Sequence, residues 1–184
     1  MKALRTARLW LRPWRDDDLD ALERLHADPE VAYWLAGPLS REAASALLQE
    51  LRSCADGHGW GVRAVCFVDG TLIGAAGLQP VRAGMPVSGV EATWRLASPW
   101  WGHGYVDEAM RAILDDAFAA AGLDEVVAFT SATNLRSQAV MRHLGFRREP
   151  ALDFDHPRLA EGHPLRRHVF CRLPRAVWAG AVGR

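Results

Sequence analysis

A chain of 184 residues, 49% of them hydrophobic, is long enough to bury one substantial core, and we expect residues 1–184 to form a single domain. The 22 basic and 22 acidic side chains balance, which argues against nucleic acid or an anionic membrane surface as a partner. Three widely separated cysteines, no signal peptide and no apolar run of membrane length favour a soluble, cytoplasmic protein.

The first part of the chain predicts a strand followed by two helices. Charged and apolar residues alternate over residues 8–12 and stop at a proline, which is typical of a strand. Three aspartates at 16–18 begin the first helix, whose apolar residues recur at helical spacing until residues 28–29 close it. Ser40 caps the second helix, which we expect to end before residues 56–57.

The next part of the chain predicts antiparallel strands. Residues 62–68 and 71–78 are rich in β-forming residues and flank Asp69-Gly70, the two-residue signal for a type I′ hairpin. Residues 90–96 form a third β-rich segment, which leads into Trp-Gly-His-Gly-Tyr at 101–105.

Beyond this glycine-containing turn the sequence predicts a helix, a strand, a helix and a last strand. The first helix ends at Gly122, and its inward stripe consists of Met110, Ile113, Leu114, Ala117, Phe118 and Ala121. Residues 126–130 form a strand, Asn134 caps a helix that ends at Gly145, and residues 167–173 form the last strand. Two strands joined through a helix predict a parallel crossover.

The turn at residues 102–106 follows a strand and opens a helix. Unpaired N–H groups and the positive end of the helix dipole make such a place suitable for a pyrophosphate, and glycines allow close approach of the backbone. A dinucleotide fingerprint would need glycine at Asp107, and a Walker loop would need Gly-Lys-Ser/Thr, so neither fits. An ordinary tight turn remains the alternative on these residues alone.

Three motifs together resemble the GNAT superfamily of N-acetyltransferases, in the branch of the ribosomal-protein alanine N-terminal acetyltransferases. The motifs are Pro-Trp-Trp-Gly-His-Gly-Tyr at 99–105 with Glu108-Ala109, Asn-Leu-Arg-Ser at 134–137, and Met-Arg-His-Leu-Gly-Phe at 141–146. The opening residues 8–13 and the order of elements are also similar, so the resemblance extends to about residue 148.

The resemblance implies an α/β (α+β) fold with a mixed, largely antiparallel central sheet flanked by helices and splayed where the strand after Val90 meets the one from Val126. It also implies acetyl-coenzyme A as co-substrate, with its pyrophosphate on the main-chain N–H groups of the turn. The implied cofactor-binding residues are Trp94, Arg95, Leu96, Trp101, Gly102, His103, Gly104, Tyr105, Val106, Asn134 and Ser137.

Glu91 is the candidate general base. It lies in an apolar strand, where desolvation would raise its pKa toward a useful value, and the family places a base on this strand. The alternative is a solvated glutamate at a strand edge. Backbone N–H groups near residues 94–96 would polarise the thioester carbonyl.

The sequence also departs from the family pattern. Trp101 replaces a common Gln or Arg and Val106 a small residue, changes that leave main-chain donors intact. Met141 replaces the tyrosine that protonates the departing thiolate in many members. Ser137, one helical turn earlier on the same face, is the candidate acid, although it is also the N3 residue of a capped helix.

The sequence says least about the residues that would bind the acceptor amine. Tyr33 and Trp34 fall where the family places its acceptor groove. The histidines and aspartates between 153 and 168 have no metal-site spacing, so we expect a substrate-side loop or plain surface there and no metal. We expect transfer to a protein N-terminus or a small-molecule amine; the alternative is an acyl-coenzyme A-binding regulatory protein, and a homodimer is left open.

Overall fold

The computed structural model describes residues 1–35 and 37–182. Its strands are β1 (Leu4–Arg5), β2 (Leu9–Arg12), β3 (Val62–Phe67), β4 (Leu72–Pro80), β5 (Val90–Leu96), β6 (Glu125–Ser131), β7 (Arg147–Arg148), β8 (Phe154–Asp155) and β9 (Arg167–Pro174). Its α-helices are α1 (Leu19–Ala27), α2 (Pro29–Trp34), α3 (Arg41–His58), α4 (Tyr105–Ala119), α5 (Leu135–His143) and α6 (Arg175–Val182). Short 3-10 turns lie at Asp16–Asp18, Ser98–Trp100 and Pro150–Leu152.

The strands form one sheet in the order β1-β2-β3-β4-β5-β6-β9-β7, with β8 also paired to β9. Every neighbouring pair is antiparallel except β5 and β6, which run parallel and meet at a single registered pair, Glu91 with Val127. Beyond that pair the two strands separate toward their C-terminal ends. The predicted mixed, largely antiparallel and centrally splayed sheet is therefore confirmed.

Helical layers cover both faces of the sheet. On one face α4 buries Ala109, Met110, Ile113, Leu114, Ala117 and Phe118 against the strands. Ala121, which the predicted stripe included, is exposed because the helix has already ended at Ala119. On the other face α1 and α3 bury a second leucine-rich cluster with Trp14. Within the described residues no helix is long and apolar enough to span a membrane.

The first helices show how capping sets boundaries. Ser40 caps α3 as predicted, since its Oγ accepts a hydrogen bond from Ala43 N (3.2 Å). The helix continues past residues 56–57 and ends at Gly59, whose φ of 73° provides the left-handed C-cap. Pro29 does close α1, but it also starts α2, because Asp28 accepts from Glu30 N (3.0 Å) and a proline suits the first helical position.

The β3–β4 hairpin differs from the prediction in its turn. Gly70 N donates to Phe67 O (3.0 Å) and Phe67 N donates to Thr71 O (2.9 Å), so three residues rather than two form the loop. The Asp69 side chain accepts from Thr71 N (2.9 Å), and Gly70, with φ of 94°, takes the left-handed position that closes such a loop. The type I′ turn on Asp69-Gly70 was wrong.

Candidate active site

The separation of β5 from β6 opens a cavity of about 650 Å³. Its walls come from β5, β6, α3, α5 and the segment around β8 and β9. The predicted residues that line it are Trp34, Glu91, Trp94, Arg95, Asn134 and Ser137. The other predicted residues do not line it. Tyr33 is 54% exposed on α2, and Leu96 is buried in the core, where its carbonyl accepts from Trp101 Nε1 (2.7 Å). The predicted cofactor-binding residues of the turn, 101–106, also lie outside the cavity lining.

Glu91 is held at the closed end of the splay. Gln79, its cross-strand partner on β4, donates from Nε2 to Glu91 Oε2 (2.9 Å). Burial raises the pKa of the Glu91 carboxyl above its usual value, and the Gln79 hydrogen bond opposes this shift. The positive charges of Arg95 and Arg82 act in the same direction as Gln79. A carboxylate with a raised pKa in a partly enclosed cavity suits a general base.

The glycine-containing turn presents a row of free donors at the start of α4. Gly102 and Gly104 have φ values of 79° and 76°, a conformation that favours glycine. The first helical bond of the segment runs from Glu108 N to Gly104 O (3.1 Å), and no side chain caps Gly104. In the part of the chain that the structure describes, the N–H groups of residues 102–107 donate to no protein acceptor. Free donors at the positive end of a helix dipole are chemically suited to a phosphate or pyrophosphate.

Two arginines that sequence reasoning gave no role lie beside this turn. Arg8 donates from Nη1 to His103 O (3.1 Å), stacks over the Tyr105 ring at 4.4 Å and pairs with Glu108. Arg136 lies over the Trp101 ring at 4.8 Å. Both contacts join segments distant in sequence, so no local pattern could have revealed them.

The first turn of α5 faces the cavity with a free hydroxyl. Asn134 Oδ1 accepts from Ser137 N (3.1 Å), which confirms the predicted cap. Ser137 and Met141 both line the cavity, as residues four apart on a helix should, and Met141 is only 2% exposed. Ser137 Oγ forms no hydrogen bond among the described residues, so it is free to bond to a group in the cavity.

The segment between β8 and β9 forms the opposite wall. His156 and His168 line the cavity with their ring centroids 5.0 Å apart, and His168 stacks on Phe154 at 5.5 Å. Burial lowers the pKa of both imidazoles, so both are neutral near pH 7. Of the two alternatives for this segment, a substrate-side loop fits this position. No cluster of three metal-ligating side chains occurs within residues 1–35 and 37–182.

The chain matches the family described as an acetyltransferase (GNAT) domain over residues 8–147. It is 32% identical over 150 residues to the FsC-acetyl coenzyme A-N(2)-transacetylase of Aspergillus fumigatus, covering 77% of this chain but only 63% of that relative. A GnaT-family acetyltransferase structure from Bordetella pertussis has a TM-score of 0.78 at 27% identity, covering 94% of this chain and 99% of that one. The ribosomal-protein-S5-alanine acetyltransferase structure from Vibrio fischeri, at 17% identity and a TM-score of 0.75, covers 96% of this chain and 98% of its own and shares the fold.

Proposed function

The chain belongs to the GNAT acetyltransferase family, and from that premise we propose that it transfers an acetyl group from acetyl-coenzyme A directly to a primary amine. One arrangement carries the proposal. Free N–H groups at residues 102–107 lie at the start of α4, while Glu91 and Ser137 line one cavity where the sheet splays. A phosphate site, a base and an acid are the groups that acetyl transfer from a coenzyme A thioester needs.

Acetyl-coenzyme A would bind along the gap between β5 and β6. Its pyrophosphate would accept hydrogen bonds from the turn at residues 102–106, and the pantetheine arm would pass Asn134 on its way to the closed end of the splay. The thioester carbonyl would accept from backbone N–H groups near residues 94–96, which stabilise the oxyanion as it forms. Because β5 and β6 pair only at Glu91, the facing edges beyond that residue are free for the arm.

Transfer would proceed without an acyl-enzyme. The neutral amine attacks the thioester carbonyl carbon, the new C–N bond forms, and the C–S bond breaks. Glu91 accepts the proton that the amine nitrogen loses, directly or through water, and Ser137 Oγ donates a proton to the departing sulfur and is reprotonated from solvent. The products are the N-acetylated amine and free coenzyme A thiol. An α-amino group has a pKa near 8, so about a tenth of it is already neutral at pH 7.

Two acceptor classes remain within this proposal, a protein N-terminus and a small-molecule amine. The fungal relative is named for acetyl transfer to an N(2) position, and the chain spans 63% of its length. The acceptor would enter from the face of the sheet that α1, α2 and α3 cover, where Trp34 lines the cavity.

The direct test is a coupled assay of free-thiol release over a panel of primary amines, run beside calorimetric binding of acetyl-coenzyme A. We expect micromolar-range binding and thiol release that depends on the acceptor. Tight binding of acetyl-coenzyme A with no transfer to any amine would overturn the proposal and favour an acyl-coenzyme A-binding regulatory protein.

A further inference from the structure

Arg95 extends into the acceptor side of the cavity without a carboxylate partner. Its Nη1 lies 3.0 Å from His26 Nε2, and no acidic side chain comes within ion-pair distance of it among the residues that the structure describes. Burial lowers the pKa of the Arg95 guanidinium and Glu91, its most influential charged neighbour, opposes that shift from beyond ion-pair distance. A guanidinium remains protonated in proteins, so a half-buried positive charge lines this wall.

The two fully buried arginines show what a buried positive charge normally requires. Arg12, 6% exposed, forms two hydrogen bonds of 2.7 Å to Asp18. Arg63, 1% exposed, donates to Asp116 at 2.8 Å. Each is compensated by a carboxylate of the same chain, as the cost of desolvating a charge demands. Arg95 differs from both in facing a cavity instead.

His26 holds this guanidinium in place without neutralising it. His26 Nδ1 lies 2.9 Å from Leu22 O, and because a carbonyl only accepts, Nδ1 carries the proton. Nε2 is then free to accept from Arg95 Nη1. Burial and the Arg95 charge both lower the pKa of His26, so the imidazole is neutral. The pair fixes one edge of the guanidinium and leaves its positive charge uncompensated.

The register of β5 places this charge on the acceptor side. Ala92 and Leu96 pack into the core beneath α4, so the alternate residues Glu91, Thr93 and Arg95 face the opposite side of the sheet. The α-carbons of Glu91 and Arg95 are about 13 Å apart along the strand. Both side chains line the same cavity.

The other fixed charges on the cavity wall do not satisfy Arg95. Glu50 is paired with Arg82 (3.0 Å), and Glu91 bonds to Gln79. Arg158 also lines the wall, but it is exposed to solvent and adds further positive charge. The cavity thus has a base at one end and an uncompensated guanidinium farther along the same strand.

We infer that Arg95 is the carboxylate-binding group of the acceptor pocket and that the acceptor is a small amine that also carries a carboxylate. The inference rests on the proposed acetyl transfer and narrows its acceptor class. A guanidinium matches a carboxylate in shape and charge, and one guanidinium balances one carboxylate better than a doubly charged phosphate. The bound carboxylate would also offset the desolvation of Arg95.

The test compares matched acceptors that differ only at the carboxylate: α-amino acids and a chain-length series of ω-amino acids, each with its primary amide. For the wild type we expect kcat/KM to favour the best acid over its amide by about 10- to 100-fold, the range of a hydrogen-bonded charged contact. Arg95→Gln should lower kcat/KM for that acid to the level of its amide, and Arg95→Lys should restore part of the preference. Arg158→Gln is the matched control and should keep the preference.

Equal kcat/KM for acids and amides in the wild type would overturn the inference, as would a preference that survives Arg95→Gln or disappears with Arg158→Gln. The wild-type comparison needs no variant, so a folding defect cannot obscure it. If no amine is acetylated, the transfer proposal fails separately. In that case the carboxylate site can still be tested by calorimetry, which measures how tightly the acids and the amides bind to the complex of the protein with coenzyme A. Equal affinity for the amides and the acids would overturn the inference about Arg95.

Discussion

Gln79 donates from Nε2 to Glu91 Oε2 at 2.9 Å, across a registered pair of β4 and β5 at the closed end of the splay. This bond favours the ionised carboxylate, whereas burial favours the protonated form. The pKa of Glu91 therefore depends on two opposing effects, and a substitution of Gln79 changes one of them.

Gln79→Leu removes that donor, so we expect the pKa of Glu91 to rise further. If the carboxylate is the active form, the acidic limb of the pH profile of kcat/KM will shift to higher pH, and the rate at the plateau will change less. Gln49→Leu, on the exposed side of α3, is the matched control and should leave the profile in place. A profile that does not move with Gln79→Leu would argue against Glu91 as the group that titrates.

Gly102→Ala tests the phosphate site. A Cβ at Gly102 would meet no protein atom within 4 Å, but the φ of 79° disfavours alanine. Such strain is of order 1–3 kcal/mol. We expect the dissociation constant for acetyl-coenzyme A to rise about tenfold or more, measured by calorimetry. Gly122→Ala is the control at the other end of α4, with φ of 68° and equally open space. It should carry a similar cost in stability and bind acetyl-coenzyme A normally, and equal losses of affinity in both variants would contradict the site.

Ser137→Ala removes the free hydroxyl that faces the cavity. General-acid catalysis typically contributes 10²- to 10⁴-fold, so we expect kcat to fall by about 100-fold while the affinity for acetyl-coenzyme A changes little. A thioester with a more acidic thiol leaving group should recover much of the rate, because its sulfur needs less protonation. Ser53→Ala, on the exposed face of α3, provides the control. A kcat within twofold of wild type would contradict the role of Ser137 as general acid and leave it only a structural role in the helix.

Asp18→Asn tests a buried ion pair outside the cavity. Asp18 accepts two bonds of 2.7 Å from Arg12 and one of 2.8 Å from Arg15 N. Removing one partner of such a pair costs about 3–5 kcal/mol, which urea unfolding at pH 7 would measure. Exposed Asp17→Asn is the control, and a loss below about 1 kcal/mol for Asp18→Asn would contradict this estimate.

The contribution of the Arg12–Asp18 ion pair to the free energy of unfolding depends on pH in a predictable direction. Burial alone would raise the pKa of Asp18, but the bonds from Arg12 and Arg15 hold it below the ordinary value. A lowered pKa in the folded state means that the ionised carboxylate stabilises the fold at neutral pH, and that this contribution is lost as the pH falls through the lowered pKa. The stability difference between wild type and Asp18→Asn should therefore be constant near pH 7 and narrow below about pH 4.

Local patterns predicted the longer strands and the helices α1, α3, α4 and α5, because a cap or an alternating strand needs only neighbouring residues. Ser40, Asn134 and the run Val90–Leu96 illustrate this. Local patterns did not predict α2, α6 or the two-residue strands β1, β7 and β8. The separation of β5 from β6 was predicted from the resemblance to the GNAT superfamily and not from local patterns. The turn of the β3–β4 hairpin was missed because the Asp69 side chain competes for a backbone donor.

The charges of the candidate site were the least predictable part. Arg8 reaches His103, 95 positions away, and Arg95 reaches His26, 69 positions away, so each contact exists only after the sheet has formed. Whether a charge is compensated depends on such contacts, so the role predicted for Arg95 from sequence involved only its main chain. The family match begins at residue 8, but it assigns no function to that arginine.

The most direct test of acetyl transfer through Glu91 is the pH dependence of free-thiol release by Glu91→Gln, with Glu125→Gln as control on the neighbouring strand β6. We expect the Glu91 variant to bind acetyl-coenzyme A normally and to lose about 10²- to 10⁴-fold in kcat/KM at pH 7. It should regain rate as the pH rises, because hydroxide can then accept the proton that the amine nitrogen loses on acetylation. Glu125→Gln should follow the wild-type profile. A Glu91→Gln variant with wild-type rates across this pH range would contradict the assignment of Glu91 as the base.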